Sequence, residues 1–287
     1  MKKIHLLLAG FAMTALVSCK QETTKESNET KKPVKVIERH EPKEVSYSLE
    51  NTQDWLVKNK ESASSLQIAY AINRTDAANL KKMDSIIVPK DLSGDLEFYL
   101  PFPLEVEALN EVDKIILFSY PSQTFAAYEN GQLVRTGPTS MGREKDQTPT
   151  GLFFTNWKAE ETTSTFNDEW DLKWNYNIEN KLGVGFHQYE LPGVPASHSC
   201  LRLQERDARY LYDWADQWVL ADAETVKVKG TPVVVFGKYD FKAPKPWLAL
   251  LKNSKSLNLT EEDIQQLVQP HLNTIMKEQK NRAANKA

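Results

Sequence analysis

The chain has 287 residues, room for one substantial core with smaller additions, since domains usually run to about 100 to 200 residues. Its 40% hydrophobic and 10% aromatic content argues against a wholly disordered chain. Lys+Arg of 36 against Asp+Glu of 39 leaves a formal net charge of -3, so no basic excess exists to neutralise a phosphate backbone, and nucleic acid is excluded as a partner.

Lys2 and Lys3 precede an apolar run from Ile4 to Val17, the layout of a secretory signal and too short for a stable membrane span. The run ends in Leu16-Val17-Ser18-Cys19, which resembles the bacterial lipobox. That resemblance implies a signal over residues 1–18 and a lipidated Cys19. It also implies attachment to the periplasmic face of the outer or inner membrane of a bacterial cell envelope. Cys200, the other cysteine, then has no intramolecular disulfide partner. Residues 19–44 are rich in Lys, Glu, Thr, Asn and Ser and carry Pro33 and Pro42, so they read as a disordered tether, either a plain spacer or a sorting signal.

In residues 45–105, Leu66, Ile68, Ala69 and Ile72 mark a helical face, and Ser85-Ile86-Ile87-Val88 a strand ending at Pro89, a small α+β unit. The stretch from Asn73 through Leu80 to Pro89 resembles the second half of a LysM-type glycan-binding module, without a clear first half. The unit therefore either binds glycan or packs as a subdomain.

The main domain, residues 106–240, opens with the strand patterns Ile115-Ile116-Leu117-Phe118 and Thr124-Phe125-Ala126-Ala127-Tyr128. Asn130-Gly131 follows, and a type I′ turn needs positive φ at both central residues, so an antiparallel hairpin into Leu133-Val134 is expected. Further strands are predicted at Thr225–Val228 and Val233–Phe236. Ala208, Leu211, Ala215 and Trp218 fall on one face of an amphipathic helix. In the extension over residues 241–287, Thr260 can cap a helix, with Leu259 and Ile264 at staple positions. Leu267, Val268, Leu272, Ile275 and Met276 continue the stripe, and Pro270 should kink or split it. The expectation is a mainly β fold with packed helices.

Gly185-Phe186-His187-Gln188, followed by Pro195-Ala196-Ser197-His198-Ser199-Cys200-Leu201-Arg202, resembles the signature of the L,D-transpeptidase (YkuD-type) family, and Thr148-Pro149-Thr150-Gly151 resembles an upstream block of the same family. The resemblance spans roughly residues 110 to 240 and implies a β-sandwich catalytic domain. Ser199 stands where the family usually has Gly, and the loop from His187 to Cys200 is shorter than is common. If position 199 needs positive φ, the Ser side chain costs about 1 kcal/mol or more.

Acyl transfer by a thiol explains why these residue types converge. A free thiol with a pKa of about 8.5 is mostly protonated at neutral pH, so an imidazole must take its proton. Of the five histidines, His5 lies in the signal, His40 in the tether and His271 in the tail, which leaves His187 and His198. The resemblance implies Cys200 as nucleophile, His187 as base, His198 as an orienting group and the Ser199 and Cys200 N–H groups as oxyanion donors. It also implies Arg202, Ser197 and Gly185 as substrate-binding residues. The Arg202 fork suits a stem-peptide carboxylate, the alternative being an Arg that caps a helix or lies on the surface. Trp170, Trp174 and Tyr176 read either as a lid or as packing.

No cluster with metal-ligand spacing occurs, and no cofactor is expected. The activity implied is cross-linking of peptidoglycan stem peptides through a Cys200 thioester. L,D-carboxypeptidase action, attachment or release of wall lipoproteins, and a non-catalytic peptidoglycan-binding lipoprotein are the alternatives. The oligomeric state is left open.

Overall fold

The computed structural model describes residues 37–163 and 171–285. The signal, Cys19, the tether as far as residue 36 and Trp170 lie outside the described residues.

The N-terminal unit places three helices between two strands: β1 (Tyr47–Asn51), α1 (Thr52–Asn59), α2 (Ala63–Ile72), the single turn α3 (Ala77–Leu80) and β2 (Ser85–Pro89). Each helix starts on a side-chain cap. Asn51 accepts from the Gln53 and Asp54 amides, Ser62 from Ser65 and Asp76 from Asn79. β1 and β2 pair antiparallel from Tyr47↔Pro89 to Asn51↔Ser85. Because side chains alternate along a strand, Ile86 and Val88 join Trp55, Ala69 and Leu80 in one cluster, while Ile87 joins Tyr47, Ile68, Ile72 and Tyr99 in another. That second cluster is completed by Trp247 and Leu250 from the far end of the chain. The last part of the expected tether is also held. The His40 and Lys43 amides donate to the carboxylates of Asp95 (2.7 Å) and Asp91 (2.8 Å), partners that composition alone could not reveal.

The main domain is built on β3 (Ile115–Ser119), β4 (Thr124–Glu129), β5 (Gln132–Ser140), β6 (Gly151–Phe154), β7 (Lys158–Thr163), β8 (Asp171–Glu179), β9 (Val184–Gln188) and β10 (Leu201–Leu203). After these come α4 (Glu205–Trp214), β11 (Val219–Leu220), β12 (Val226–Val228) and β13 (Pro232–Phe236). Nine strands form one sheet in the order β6-β13-β3-β4-β5-β10-β9-β8-β7, parallel at β13–β3 and β10–β9 and antiparallel elsewhere. The sheet curls until its halves face each other, so Phe118 and Phe125 share a core with Tyr176, Val184 and Phe186. The two layers expected of a sandwich are thus one continuous sheet, with β5 leading into the second half through β10. The Asn130-Gly131 hairpin has φ of 48° and 78°, as the type I′ turn demands.

Two details differ from the sequence expectation. α4 ends at Trp214, because Ala215 turns extended (ψ 146°), so Trp218 is not on the helix. The segment Val226–Val228 pairs only with β11 in a separate two-stranded ribbon. The sheet's outer face, carrying Leu117, Tyr128 and Val234, is covered by α5 (Glu261–Val268) and α6 (Leu272–Ala284) through Ile264, Val268 and Ile275. The helical stripe splits around Pro270, and Thr260 with Asp263 forms a capping box at the start of α5. Among the described residues, no helix is long and apolar enough to cross a membrane.

Candidate active site

The site is set by the parallel pairing of β9 with β10, in which Leu201 lies opposite Phe186 and Arg202 opposite His187. Phe186, Leu201 and Leu203 turn into the core. By alternation, His187 and Gly185 on β9 and Arg202 with the adjoining Cys200 turn to the opposite face. Residues remote in sequence thus converge because two strands run side by side. Gly185 is required by close approach, since a Cβ there would come within 2.6 Å of the Tyr176 carbonyl on β8.

Cys200 is partly buried and free, and its thiol donates to the Gly183 carbonyl at 3.8 Å. His187 is buried, with Nδ1 2.9 Å from the Gln188 carbonyl, a contact that makes Nδ1 the protonated nitrogen and leaves Nε2 as the acceptor. Burial pushes the imidazole down to about 4, with the Arg202 guanidinium adding to the drop and the Gln188 carbonyl opposing it. Burial pushes the Cys200 thiol up, against the smaller opposing pulls of the Gly185 amide and Arg202. Both groups therefore rest neutral near pH 7, and thiol and base are not a preformed ion pair.

The turn before Cys200 is internally braced. Ser197 is buried, and its hydroxyl donates to the Cys200 carbonyl at 2.5 Å, while the Ala196 and Ser197 amides both donate to Met141 O at 3.0 Å. Its one hydroxyl proton is thereby committed to shaping the turn, and its oxygen keeps acceptor capacity. Ser199 adopts φ 76°, the left-handed region, and its hydroxyl donates to the Asp146 carbonyl at 3.2 Å. His198 sits at the rim, with Nε2 4.0 Å from an Asp146 carboxylate that is held below the usual range by its 2.6 Å bond from Arg143. Burial lowers His198, reinforced by Arg143 and opposed by Asp146. Thr148 accepts from the Gly142 amide at 2.9 Å, so the upstream Thr-Pro block supports the turn that faces Ser197.

Arg202 stacks over Tyr189, 4.5 Å from the ring centroid, and Tyr189 lies edge-on to His187 at 6.0 Å. Sequence reasoning missed Tyr189, although its spacing of two from His187 was a usable signal. It also missed Asp146, which reaches the site from a loop with no periodicity to read. Of the candidate lid aromatics, Tyr176 is a core residue 5.3 Å from Phe186, and Trp174 packs on Tyr212 and Arg209. Both are packing residues.

The thiol of Cys200, the buried imidazole of His187 and the guanidinium of Arg202 are thus gathered at the β9–β10 seam of a curled, mainly β sheet. Residues 113–235 match the family model of YkuD, the L,D-transpeptidase catalytic domain. Among similar solved structures, an L,D-transpeptidase from Stackebrandtia nassauensis is 22% identical, covering 44% of this chain and 57% of that one, with a TM-score of 0.36. An L,D-transpeptidase from Mycobacterium smegmatis is 20% identical over 44% and 59%, with a TM-score of 0.35. Mycobacterium tuberculosis L,D-transpeptidase 1 is 24% identical over 44% and 62%, with a TM-score of 0.33. The chain thus spans less than two thirds of each of these structures. No curated protein matches it.

Proposed function

We propose that this protein is a cysteine-dependent acyltransferase that cross-links peptidoglycan stem peptides. The observation carrying the proposal is the parallel pairing that sets Arg202 on β10 opposite His187 on β9, with Cys200 immediately before β10. As substrate displaces water, His187 takes the thiol proton and sulfur attacks the carbonyl joining the third stem residue to the terminal D-residue. The Ser199 and Cys200 N–H groups stabilise the oxyanion, each worth about 3 kcal/mol in comparable sites. The C–N bond then breaks, and the proton held by His187 passes to the departing amine, leaving a thioester on Cys200. An amine from a neighbouring stem attacks the thioester, releases the thiol and completes a cross-link. Water in its place gives an L,D-carboxypeptidase, and a protein amine or its release gives the lipoprotein-linked variants.

Arg202 is the group suited to a substrate carboxylate, because its guanidinium is oriented by the Tyr189 stack. His198, beside Asp146, is assigned the supporting role. The lipid anchor on Cys19 and glycan contact by residues 45–105 belong to the same proposal, supported by the lipobox pattern and by the likeness of Asn73 to Pro89 to half of a glycan-binding module.

Incubating the Cys200→Ala variant and the unchanged chain with tetrapeptide muropeptides, followed by mass spectrometry, tests the proposal. The unchanged chain should show an acyl-enzyme mass on Cys200 and cross-linked dimers, and the variant neither. Turnover retained in the variant would overturn it. The Cys19→Ala change should release the protein from the membrane fraction.

A further inference from the structure

The segment Arg74-Thr75-Asp76, between α2 and α3 of the N-terminal unit, has no part in the chemistry above, yet its polar contacts concentrate on the two stretches flanking Cys200. Upstream, Asp76 accepts from the Leu191 amide at 2.7 Å and returns its own amide to the Leu191 carbonyl at 3.3 Å. The Gly193 amide donates to the Arg74 carbonyl at 3.1 Å, and Thr75 forms a bridge with Pro192. Downstream, the Gln204 side chain donates to the Thr75 carbonyl at 3.0 Å. Gln204 is the first residue after β10, and its side chain makes no cap bond to α4.

The segment itself is rigidly seated. Arg74 is 1% exposed at φ 56°, and its guanidinium donates to the carbonyls of Ala71 (2.6 Å), Ile72 (2.9 Å) and Ser122 (2.6 Å) and lies over Trp247. Ser122 belongs to the β3–β4 turn, where the neighbouring Gln123 accepts from the Met141 amide at 2.8 Å. Met141 in turn holds Ala196 and Ser197. The loop between His187 and Cys200 is therefore anchored at its near end by Leu191 and Gly193 and at its far end by Met141, with Arg74 bonded to Gly193 and to Ser122, the residue before the Gln123 that holds Met141.

We propose that Asp76, with the Thr75 carbonyl and its partner Gln204, is a positioning element for the nucleophile. The N-terminal unit holds the loop that shields and orients Cys200. This rests on the reading of Cys200 as nucleophile. Loosening the loop hydrates the thiol and removes the burial that raises it, so the thiol should ionise at lower pH while its alignment with His187 is lost.

The test compares Asp76→Ala, Gln204→Ala and a distant control, Thr260→Ala, in the full chain. Three quantities are measured: hydrogen exchange at the Leu191 and Gly193 amides, the pH midpoint of Cys200 alkylation by iodoacetamide, and kcat and KM on muropeptides. Both clamp variants should exchange at those amides about tenfold faster, as expected for one lost buried hydrogen bond. They should also move the alkylation midpoint down and lower kcat more than KM, while Thr260→Ala changes none of these. Because Asp76 also caps α3, the Gln204→Ala variant keeps the test decisive if Asp76→Ala folds poorly. An unmoved midpoint and unchanged kcat in Gln204→Ala, or equal changes in Thr260→Ala, would overturn the proposal. If Cys200→Ala retains turnover, the nucleophile reading falls, while exchange and alkylation still report on the clamp.

Discussion

At the scale of single residues, the main electrostatic feature is that thiol and imidazole both rest uncharged. In the proposed mechanism, activation then depends on a proton transfer that His187 accepts during reaction. Replacing His187 with Ala should slow Cys200 alkylation at neutral pH, within the hundred- to ten-thousandfold range typical of a lost general base. Alkaline pH, where the thiol ionises unaided, should restore most of the rate. His198→Ala should cost less and show a flatter pH profile; if it shows the alkaline rescue instead, His198 is the base. Ser199 offers a second prediction, since a side chain at φ 76° is strained by about 1 kcal/mol. Ser199→Gly should raise the urea midpoint, offset in part by loss of the bond to the Asp146 carbonyl. The positions of Cys200 and the two histidines and the strain at Ser199 were legible because each lies in a short, patterned run. Asp146 was not, since only the folded chain brings its loop against Ser199.

At the scale of elements, legibility followed local signals. The Asn130-Gly131 turn and the stripe broken near Pro270 were fixed by neighbours within a few residues, and both elements formed where expected. Partners could not be read in the same way. Thr225–Val228 and Val233–Phe236 carry the same β-branched pattern, yet one edges a ribbon while the other enters the large sheet between β3 and β6. The parallel pairing of β9 with β10, which creates the site, is likewise a choice of neighbour and leaves no mark in local composition. The Thr260–Asp263 capping box is a local feature with a measurable share of stability. Thr260→Ala should cost about 1 kcal/mol in urea unfolding without changing alkylation of Cys200.

For the whole molecule, the buried neutral His187 ties global stability to acidity. Its folded value of about 4 lies below its ordinary 6.5, so the unfolded chain binds the extra proton first. The contribution is fully present above pH 6.5 and is lost as pH falls toward 4, a loss of about 3 kcal/mol. Urea midpoints measured across that window should fall in the unchanged chain and fall less in a His187→Gln variant.

The position of β13 between β3 and β6 also matters for a chain made from its N-terminus. Until Pro232–Phe236 has left the ribosome, β3 and β6 each present an open hydrogen-bonding edge, and the face later covered by Ile264 and Val268 is bare. A nascent chain of this length carries Cys200 before the sheet can close. Competence of the thiol should therefore appear only after Pro232–Phe236 has been synthesised, and chains stalled short of residue 232 should be recognised by chaperones rather than by substrate.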